Sequence, residues 1–245
     1  MIYYHGTPIG GARADVVRFL TGRHALIPFF RPEDMAAAAE VCRDFVFDNS
    51  AFSIWKRGGT MDFDGYVAWV KKWRQHPGFR WALIPDVIDG TEEANDAYIS
   101  QWIKEGLTYF GVPIWHLHES LERLQRLTAW PYIALGSSGE YSVPGMRKWW
   151  DRMEDVMDIL CDAQGNPITK IHGLRMAHPD IVSRIPFSSV DSTNASVNAG
   201  SVGRFGTYIP PTRAQRADVI ASRMESVNSP PVWIRSEVKC LEVTA

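Results

Sequence analysis

Three aspartates stand where a carboxylate could do chemistry, because each directly follows a short apolar segment. These are Asp48, Asp86 and Asp191. An aspartate in such a place is often only a turn residue or a helix cap. Three at matching strand ends would instead share the rim of one pocket, where burial and neighbouring charges separate the pKa values of carboxyl groups. One carboxylate could then attack a sugar carbon while another carries protons.

The apolar segments before these aspartates predict the short buried strands of a parallel sheet. Six such segments end in polar residues or glycine: 44–47, 81–85, 112–115, 132–135, 171–174 and 185–190. Residues 1–4 are predicted as a first or covering strand, and His24–Pro28 as a further strand. With helices between the strands, this pattern predicts an α/β fold, a (β/α)8 TIM barrel with its site at the strand carboxyl ends. The eighth strand is expected at 203–208.

Helix-like segments alternate with these strands, and no linker divides them. Helices are expected at 14–20, 32–42, 62–75, 91–109, 119–127, 144–161, 179–184 and 213–227. Pro32 and Thr91 suit helix starts, and Trp69 and Trp73 share one helix face and are interpreted as packing. The glycine-rich segment 5–11 lacks the spacing of a phosphate-binding fingerprint. Residues 1–245 are therefore interpreted as one barrel domain.

Composition excludes several classes of protein. The formal net charge of −2 gives no global basic field for nucleic acid, so any such contact needs a local patch. Cys42, Cys161 and Cys240 form neither a zinc pattern nor a disulfide framework, which favours a reducing cytosol. No apolar segment approaches the ~18 residues of a membrane span. We expect a cytoplasmic protein without membrane contact.

His116 and His118 are candidates for metal binding, because His-x-His on a barrel strand with a later aspartate resembles metallohydrolases. Their alternation on a strand predicts that they point to opposite sides. No acid or lysine follows where a bridging ligand would be expected. A single histidine lining the pocket, with no metal and no cofactor, is therefore the preferred interpretation.

Five other residues have both a structural and a binding interpretation. Phe52, four residues after Asp48, either packs or offers a stacking face to a base. His172 and Met176 belong to the core or form a lip against a flat ligand. Arg204 and Arg213 either contact phosphates or lie on a solvated surface.

Six motifs, in their order along the chain, resemble those of the tRNA-guanine transglycosylase superfamily. Within it, the resemblance is to the short DNA-modifying members of phage and bacterial modification systems. The motifs are 48–52, 84–86, 135–140, 172–174, 190–192 and 211–213. Each is short and degenerate, and their ordered succession over residues 44–216 is the specific part.

The resemblance implies roles for the residues that match these motifs. Asp191 would be the nucleophile and Asp48 the general acid/base. Asp86, with backbone groups of Gly136 and Ser137, would recognise the purine.

The remaining roles concern the faces of the base and the nucleic acid. Phe52, with His172 or Met176, would sandwich the purine, and His116 replaces the glutamine that reads it in the family. The Pro-Thr-Arg match supports Arg213 as a nucleic-acid contact, with Arg204 beside it. The implied partners are DNA, with a flipped-out guanine nucleotide, and a 7-deazaguanine base such as 7-cyano-7-deazaguanine.

The departures from the family pattern leave other interpretations open. Ser50-Ala51 replaces the family's Gly-Gly, and the Cys-x-Cys-x-x-Cys…His zinc motif of the tRNA enzymes is absent from this sequence. Without that zinc-binding subdomain, tRNA is the less favoured polymer. A tRNA transglycosylase lacking the zinc module, a barrel glycosidase with two carboxylates, a metal-dependent hydrolase and a non-enzymatic binding barrel are the alternatives.

Overall fold

The computed structural model describes residues 1–7 and 13–235, and its strands are short, apolar and parallel. In chain order they are β1 Ile2–Gly6, β2 His24–Pro28, β3 Asp44–Asp48, β4 Phe79–Leu83, β5 Gly111–Val112, β6 Ile114–His116, β7 Tyr132–Gly136, β8 Lys170–Leu174 and β9 Ser189–Ser192. They pair in the order β5-β4-β3-β2-β1-β9-β8-β7-β6. With helices between successive strands, this is the predicted TIM barrel.

Proline explains why nine strand segments fill eight positions in the barrel. Pro113 lies between β5, which pairs with β4, and β6, which pairs with β7. Proline has no N–H to give to a sheet, so it interrupts the strand. Its carbonyl still accepts a hydrogen bond from the Ala134 N–H at 2.9 Å. β5 and β6 are therefore one interrupted strand, and the barrel is nearly closed there.

The predicted strand at 203–208 is wrong. Residues Val202–Arg204 form a 3-10 turn, and 207–210 have no regular structure. The eight positions were already filled, because residues 1–4 belong to a full barrel strand, β1, and do not cover the barrel. The last strand also begins later than predicted, at Ser189, so that Asp191 lies within it and pairs with Tyr4.

Of the ten helices in the described residues, eight occupy predicted segments; seven of these have shorter bounds, and the first begins one residue earlier than predicted. The ten are α1 Arg13–Leu20, α2 Met35–Val41, α3 Ala51–Lys56, α4 Phe63–Trp73, α5 Glu92–Lys104, α6 Leu121–Leu127, α7 Arg147–Leu160, α8 Pro179–Val182, α9 Asn194–Asn198 and α10 Arg213–Glu225. The Thr91 hydroxyl accepts the Ala94 N–H, as expected of a cap, and Pro32 begins a 3-10 turn before α2. The short α3 and α9, which follow β3 and β9, were not predicted.

Alternation along the strands separates two apolar layers. Val46 faces the inside of the barrel, while Phe45 and Phe47 face the surrounding helices. Phe47 stacks on Trp69 with ring centroids 3.7 Å apart, which confirms the packing interpretation of that tryptophan. Burial on both faces fixes the register of the sheet. All strand carboxyl ends thus meet at one end of the barrel.

The remaining predictions about composition concern cysteines and membranes. Cys42 and Cys161 are free thiols, while Cys240 and most of the 5–11 segment lie outside the described residues. Among the helices described, none is long and apolar enough to cross a membrane.

Candidate active site

A cleft of about 630 Å³ opens at the carboxyl ends of the strands. Seven of the predicted site residues line it: Asp48, Phe52, Asp86, His116, Gly136, Ser137 and Asp191. They come from different strands and the loops that follow them. The parallel barrel therefore brings together side chains separated by up to 143 positions in sequence, from Asp48 to Asp191. The volume is that of a small-molecule site.

Asp191 lines this cleft, and its side chain is almost fully buried. Its Oδ1 accepts the backbone N–H of Arg175 at 2.9 Å. Arg175 has a left-handed backbone, with φ of 57°, which is uncommon for a residue with a side chain. No hydrogen bond from the described residues reaches Oδ2. One oxygen is thus held in place while the other remains available to a ligand.

A buried chain of polar groups lies beneath Asp191. The Nε2 of His172 is 3.4 Å from Asp191 Oδ1, and its Nδ1 is hydrogen-bonded to the Ser189 hydroxyl at 2.6 Å. The Tyr132 hydroxyl lies 2.5 Å from that of Ser189. His172 is fully buried, with its ring edge-on to Trp81. The structure therefore places His172 below the nucleophile candidate, in the barrel interior, and not at a face of the cleft.

Asp48 ends β3 and lines the same cleft. Ser50 has a left-handed backbone, with φ of 64°, and its N–H donates a hydrogen bond to Asp48 Oδ1 at 2.9 Å. Burial raises the pKa of Asp48 to about 6, against the lowering effect of the Ser50 N–H. The charge of Asp191 raises it further, Arg175 lowers it, and Asp86 raises it. Such a carboxyl can both hold and release a proton near neutral pH.

This pKa makes the stability of the protein depend on pH. Between the unfolded value of 3.8 and about 6, the folded state binds more protons at Asp48, so its contribution to the free energy of unfolding falls as pH rises. Asparagine does not ionise, so Asp48→Asn should not lose stability as pH rises. We expect this variant to be more stable than the unmodified protein at pH 8 by roughly 1–3 kcal/mol, after allowing for solvent in the cleft. At pH 4 the gain should vanish. Urea unfolding of both proteins at the two pH values measures the difference, and an equal effect at both would contradict the assignment.

Two hydrogen-bond partners hold Asp86, and each of its carboxylate oxygens keeps one acceptor position for a ligand. The Asn49 amide donates to Oδ1 at 2.8 Å, and His116 Nε2 lies 2.8 Å from Oδ2. Burial lowers the pKa of His116, but the hydrogen bond and charge of Asp86, helped by Glu119, outweigh it, so the net shift is upward. Each carboxylate oxygen can accept a second hydrogen bond. Asp86 and His116 therefore form a fixed polar wall.

A buried network of charges stabilises this wall from behind. Glu119 accepts the backbone N–H of His116 at 2.8 Å and the Asn95 amide at 2.8 Å, and it pairs with Arg123 at 2.6 Å. Asn95 also accepts the N–H of Val87, the residue after Asp86. The network thus joins the loop after β4 to the end of β6.

Aromatic side chains form the rim of the cleft. Phe52 and Trp55, three apart on α3, both line it and are partly exposed. The guanidinium of Arg175 lies over the Phe52 ring, 4.0 Å from its centroid. Cations and bases stack on the same aromatic faces. Phe52 is thus placed at the cleft and outside the core.

Gly136 and Ser137 line the cleft beside His116. A methyl group at Gly136 would come within 3.0 Å of His116 Nδ1, so glycine allows this close approach. The Gly136 carbonyl already accepts the Leu117 N–H, and the Ser137 hydroxyl accepts the indole N–H of Trp149. Their carbonyl and hydroxyl groups are thus engaged within the protein.

Besides His172, three predicted residues lie away from the cleft. Met176 is fully buried in the apolar layer between barrel and helices, because the chain turns outward after Arg175. Arg204 lines a second pocket. Arg213 begins α10, and its guanidinium packs near Gly200.

The two histidines do not diverge as predicted. The strand ends at His116, so strand alternation does not extend to His118. Their rings lie nearly parallel, 5.8 Å apart, and His118 is hydrogen-bonded to the Ser138 hydroxyl. Across residues 1–7 and 13–235, no three His, Cys, Asp or Glu side chains are grouped so that they could hold one metal ion.

Several site residues carried a weaker signal in the sequence. Arg175 directly follows β8 and Asn49 directly follows Asp48, so strand ends alone would have included both. Trp55 follows Phe52 at helical spacing, which would have been visible only if α3 had been predicted. Glu119 and Arg123 are four residues apart in the sequence, a spacing at which side chains on a helix can pair. Only the fold shows that this pair is buried.

Comparisons with known proteins bear on the fold. No protein-family model matches the chain, and no curated protein does. Among solved structures, the chain is similar to a protein from Coccidioides immitis provisionally described as a fructose-1,6-biphosphate aldolase. The TM-score is 0.56 at 12% sequence identity, covering 92% of this chain and 90% of the other. At that identity the likeness concerns the barrel alone, and it supports the TIM-barrel assignment.

Proposed function

We propose that this chain is a guanine transglycosylase that replaces guanine in DNA by a 7-deazaguanine, through a covalent intermediate on Asp191. The observation that carries the proposal is the difference between two carboxyl groups in one cleft. Asp191 has one oxygen held by the Arg175 N–H and one without a partner from the described residues. Asp48 has a pKa of about 6. These are the properties of a nucleophile and a proton carrier.

In the first step, Asp191 Oδ2 forms a bond to the anomeric carbon of the nucleotide as the bond from that carbon to guanine N9 breaks. The electron pair of the broken bond goes to the guanine, and Asp48 in its acid form gives the base a proton. The products are neutral guanine, a glycosyl ester of Asp191 and ionised Asp48.

In the second step, the incoming 7-deazaguanine gives its N9 proton to Asp48. Its nitrogen then attacks the anomeric carbon, and the bond to Asp191 breaks. Asp191 is again a carboxylate and Asp48 again an acid, so the cycle needs no external proton donor. The raised pKa of Asp48 suits a group that must change its charge twice per turnover.

The polar wall would read the edge of the purine. The second acceptor positions on the oxygens of Asp86 fit the N–H donors of guanine, and His116 lies beside them. A site built for such donors rejects bases that lack them, because its buried oxygens would then be left unpaired. A guanine in duplex DNA would have to be flipped out, at an unstacking cost of a few kcal/mol.

Label release tests the proposal. The protein is incubated with DNA or tRNA carrying labelled guanine, together with 7-cyano-7-deazaguanine. We expect release from DNA and none from tRNA. Release from tRNA alone would transfer the assignment to the tRNA reaction. No release from either polymer would reject the transglycosylase proposal.

The aromatic rim gives a prediction about the incoming base. Phe52→Leu keeps an apolar side chain but removes the ring, and base–aromatic stacking contributes about 1–3 kcal/mol. We expect the KM for the 7-deazaguanine to rise about tenfold with little change in kcat. Tyr109→Leu, which removes a ring that is 90% exposed, is the control. Equal KM values for Phe52→Leu and the unmodified protein would exclude stacking on Phe52.

A further inference from the structure

A second pocket, of about 330 Å³, adjoins the cleft between the loops that follow β8 and β9 and the helix α10. We call it the arginine pocket. Its polar side chains are Arg175, His178, Ser192, Asn194, Arg204 and Arg223. Arg204 and Arg223 are exposed, so the pocket opens to solvent.

The charge of this pocket is one-sided. Three arginines line it and no aspartate or glutamate does. None of the three forms an ion pair with the part of the chain that the structure describes, whereas Arg23, Arg80 and others there are paired. Because the Arg175 guanidinium lies over Phe52, Arg204 and Arg223 are the two cations whose unpaired guanidinium groups can attract an anion here. Arginine forks match the oxygens of a phosphate in particular.

The position of the pocket in the barrel also favours phosphate. β8 and β9 occupy the seventh and eighth strand positions of the barrel, because β5 and β6 share one. Loops after these two strands are where TIM barrels frequently bind phosphate groups. Ala177, His178 and Pro179 come from the first of these loops, and Ser192, Asn194 and Arg204 from the second.

The pocket and the cleft share structure around the nucleophile candidate. Ser192, in the pocket, directly follows Asp191, in the cleft. Arg175 lines both, with its N–H on Asp191 and its guanidinium over Phe52. A ligand with a sugar carbon at Asp191 would therefore extend a neighbouring group into the arginine pocket.

We propose that the arginine pocket binds a backbone phosphate of the polynucleotide, next to the nucleotide that Asp191 attacks. This rests on the proposed function for the position of the sugar. The binding itself is an electrostatic contact of Arg204 and Arg223 with phosphate oxygens. It accounts for how a chain without a basic surface field holds a nucleic acid strand. Arg213, predicted for the same role, lies outside this pocket.

Binding of a fluorescent single-stranded DNA containing one guanine, followed by anisotropy over a series of salt concentrations, tests this proposal. In the double variant Arg204→Ala/Arg223→Ala we expect Kd to rise about tenfold or more at physiological salt. The slope of log Kd against log salt should fall by about 0.7–1, the value of one lost phosphate contact. Both side chains are exposed and outside the catalytic machinery, so the thermal midpoint should not change.

The matched control removes the same charge elsewhere. Arg43 directly precedes β3 and Lys104 ends α5, so both exposed cations lie at the opposite end of the barrel. Arg43→Ala/Lys104→Ala should leave Kd within about twofold and the slope unchanged. Equal losses in both double variants would show a general charge effect and overturn the proposal.

Two further readouts separate the possible ligands and the two proposals. If the arginine variant loses binding of inorganic phosphate but keeps its affinity for DNA, the pocket serves a small phosphorylated molecule and the proposal is wrong. Guanine release is measured in parallel. Weaker DNA binding by the variant, with no release even by the unmodified protein, would support the pocket and reject the transglycosylase function. Unchanged DNA binding with active release would reject the pocket alone.

Discussion

Asp191→Asn is expected to lower the rate of base exchange by about 10⁴-fold or more while the protein stays folded. The amide has the same shape and can still accept the Arg175 N–H through its oxygen, so the barrel should be unaffected. It cannot form the glycosyl ester, and removing a nucleophile costs enzymes of this kind several orders of magnitude. Label release per unit time, with a thermal midpoint for each variant, measures both expectations.

Asp89→Asn is the matched control for charge. Asp89 is an exposed aspartate that lines the same cleft, so its loss changes the local field without removing an assigned group. We expect exchange within about threefold of the unmodified protein, because exposed charges interact weakly through water. Comparable losses in the two variants would mean that the cleft needs negative charge, and that Asp191 has no special role.

Arg123→Met is expected to lower the free energy of unfolding by about 3–5 kcal/mol. Arg123 is 1% exposed and pairs with Glu119, whose side chain is also 1% exposed, at 2.6 Å. Methionine fills much of the volume but leaves the Glu119 carboxylate buried without its cation. Urea unfolding at neutral pH measures the loss. Since Glu119 also holds the His116 N–H, base exchange should fall as well.

Two variants test whether the buried charge is the cause. Arg126 pairs with Asp96, as Arg123 does, but is exposed, so Arg126→Met should cost at most about 1 kcal/mol. In Glu119→Gln/Arg123→Met the stranded charge is gone, so part of the stability should return. A double variant as unstable as the sum of the single ones would assign the loss to packing.

Local pattern was enough to predict the barrel. Each apolar segment is buried on both faces, so its composition alone marks it as a strand. The same rule brought Asp48, Asp86 and His116 into one cleft, since all parallel strands end at one side. It failed at two places: Pro113 divides one strand in two, and 203–208 form no strand because β1 already fills a position in the barrel.

Side-chain direction after the strands could not be predicted from spacing. His172 points into the barrel and Met176 into the outer layer, although both are near the end of β8. His172 lies within β8, whereas Met176 follows the left-handed turn at Arg175, and an arginine does not indicate a positive φ. The network of Glu119 and Arg123 depends on burial from all sides, which only the folded chain shows.

A covalent complex between the protein and DNA is the most direct test of the central claim, that Asp191 is a nucleophile. The protein is mixed with guanine-containing DNA without an incoming base, denatured in acid, digested and analysed by mass spectrometry. We predict a deoxyribosyl adduct on the peptide that contains Asp191, absent in Asp191→Asn and removed by adding 7-cyano-7-deazaguanine before denaturation. An adduct on Asp48, or base exchange without any adduct, would contradict the mechanism.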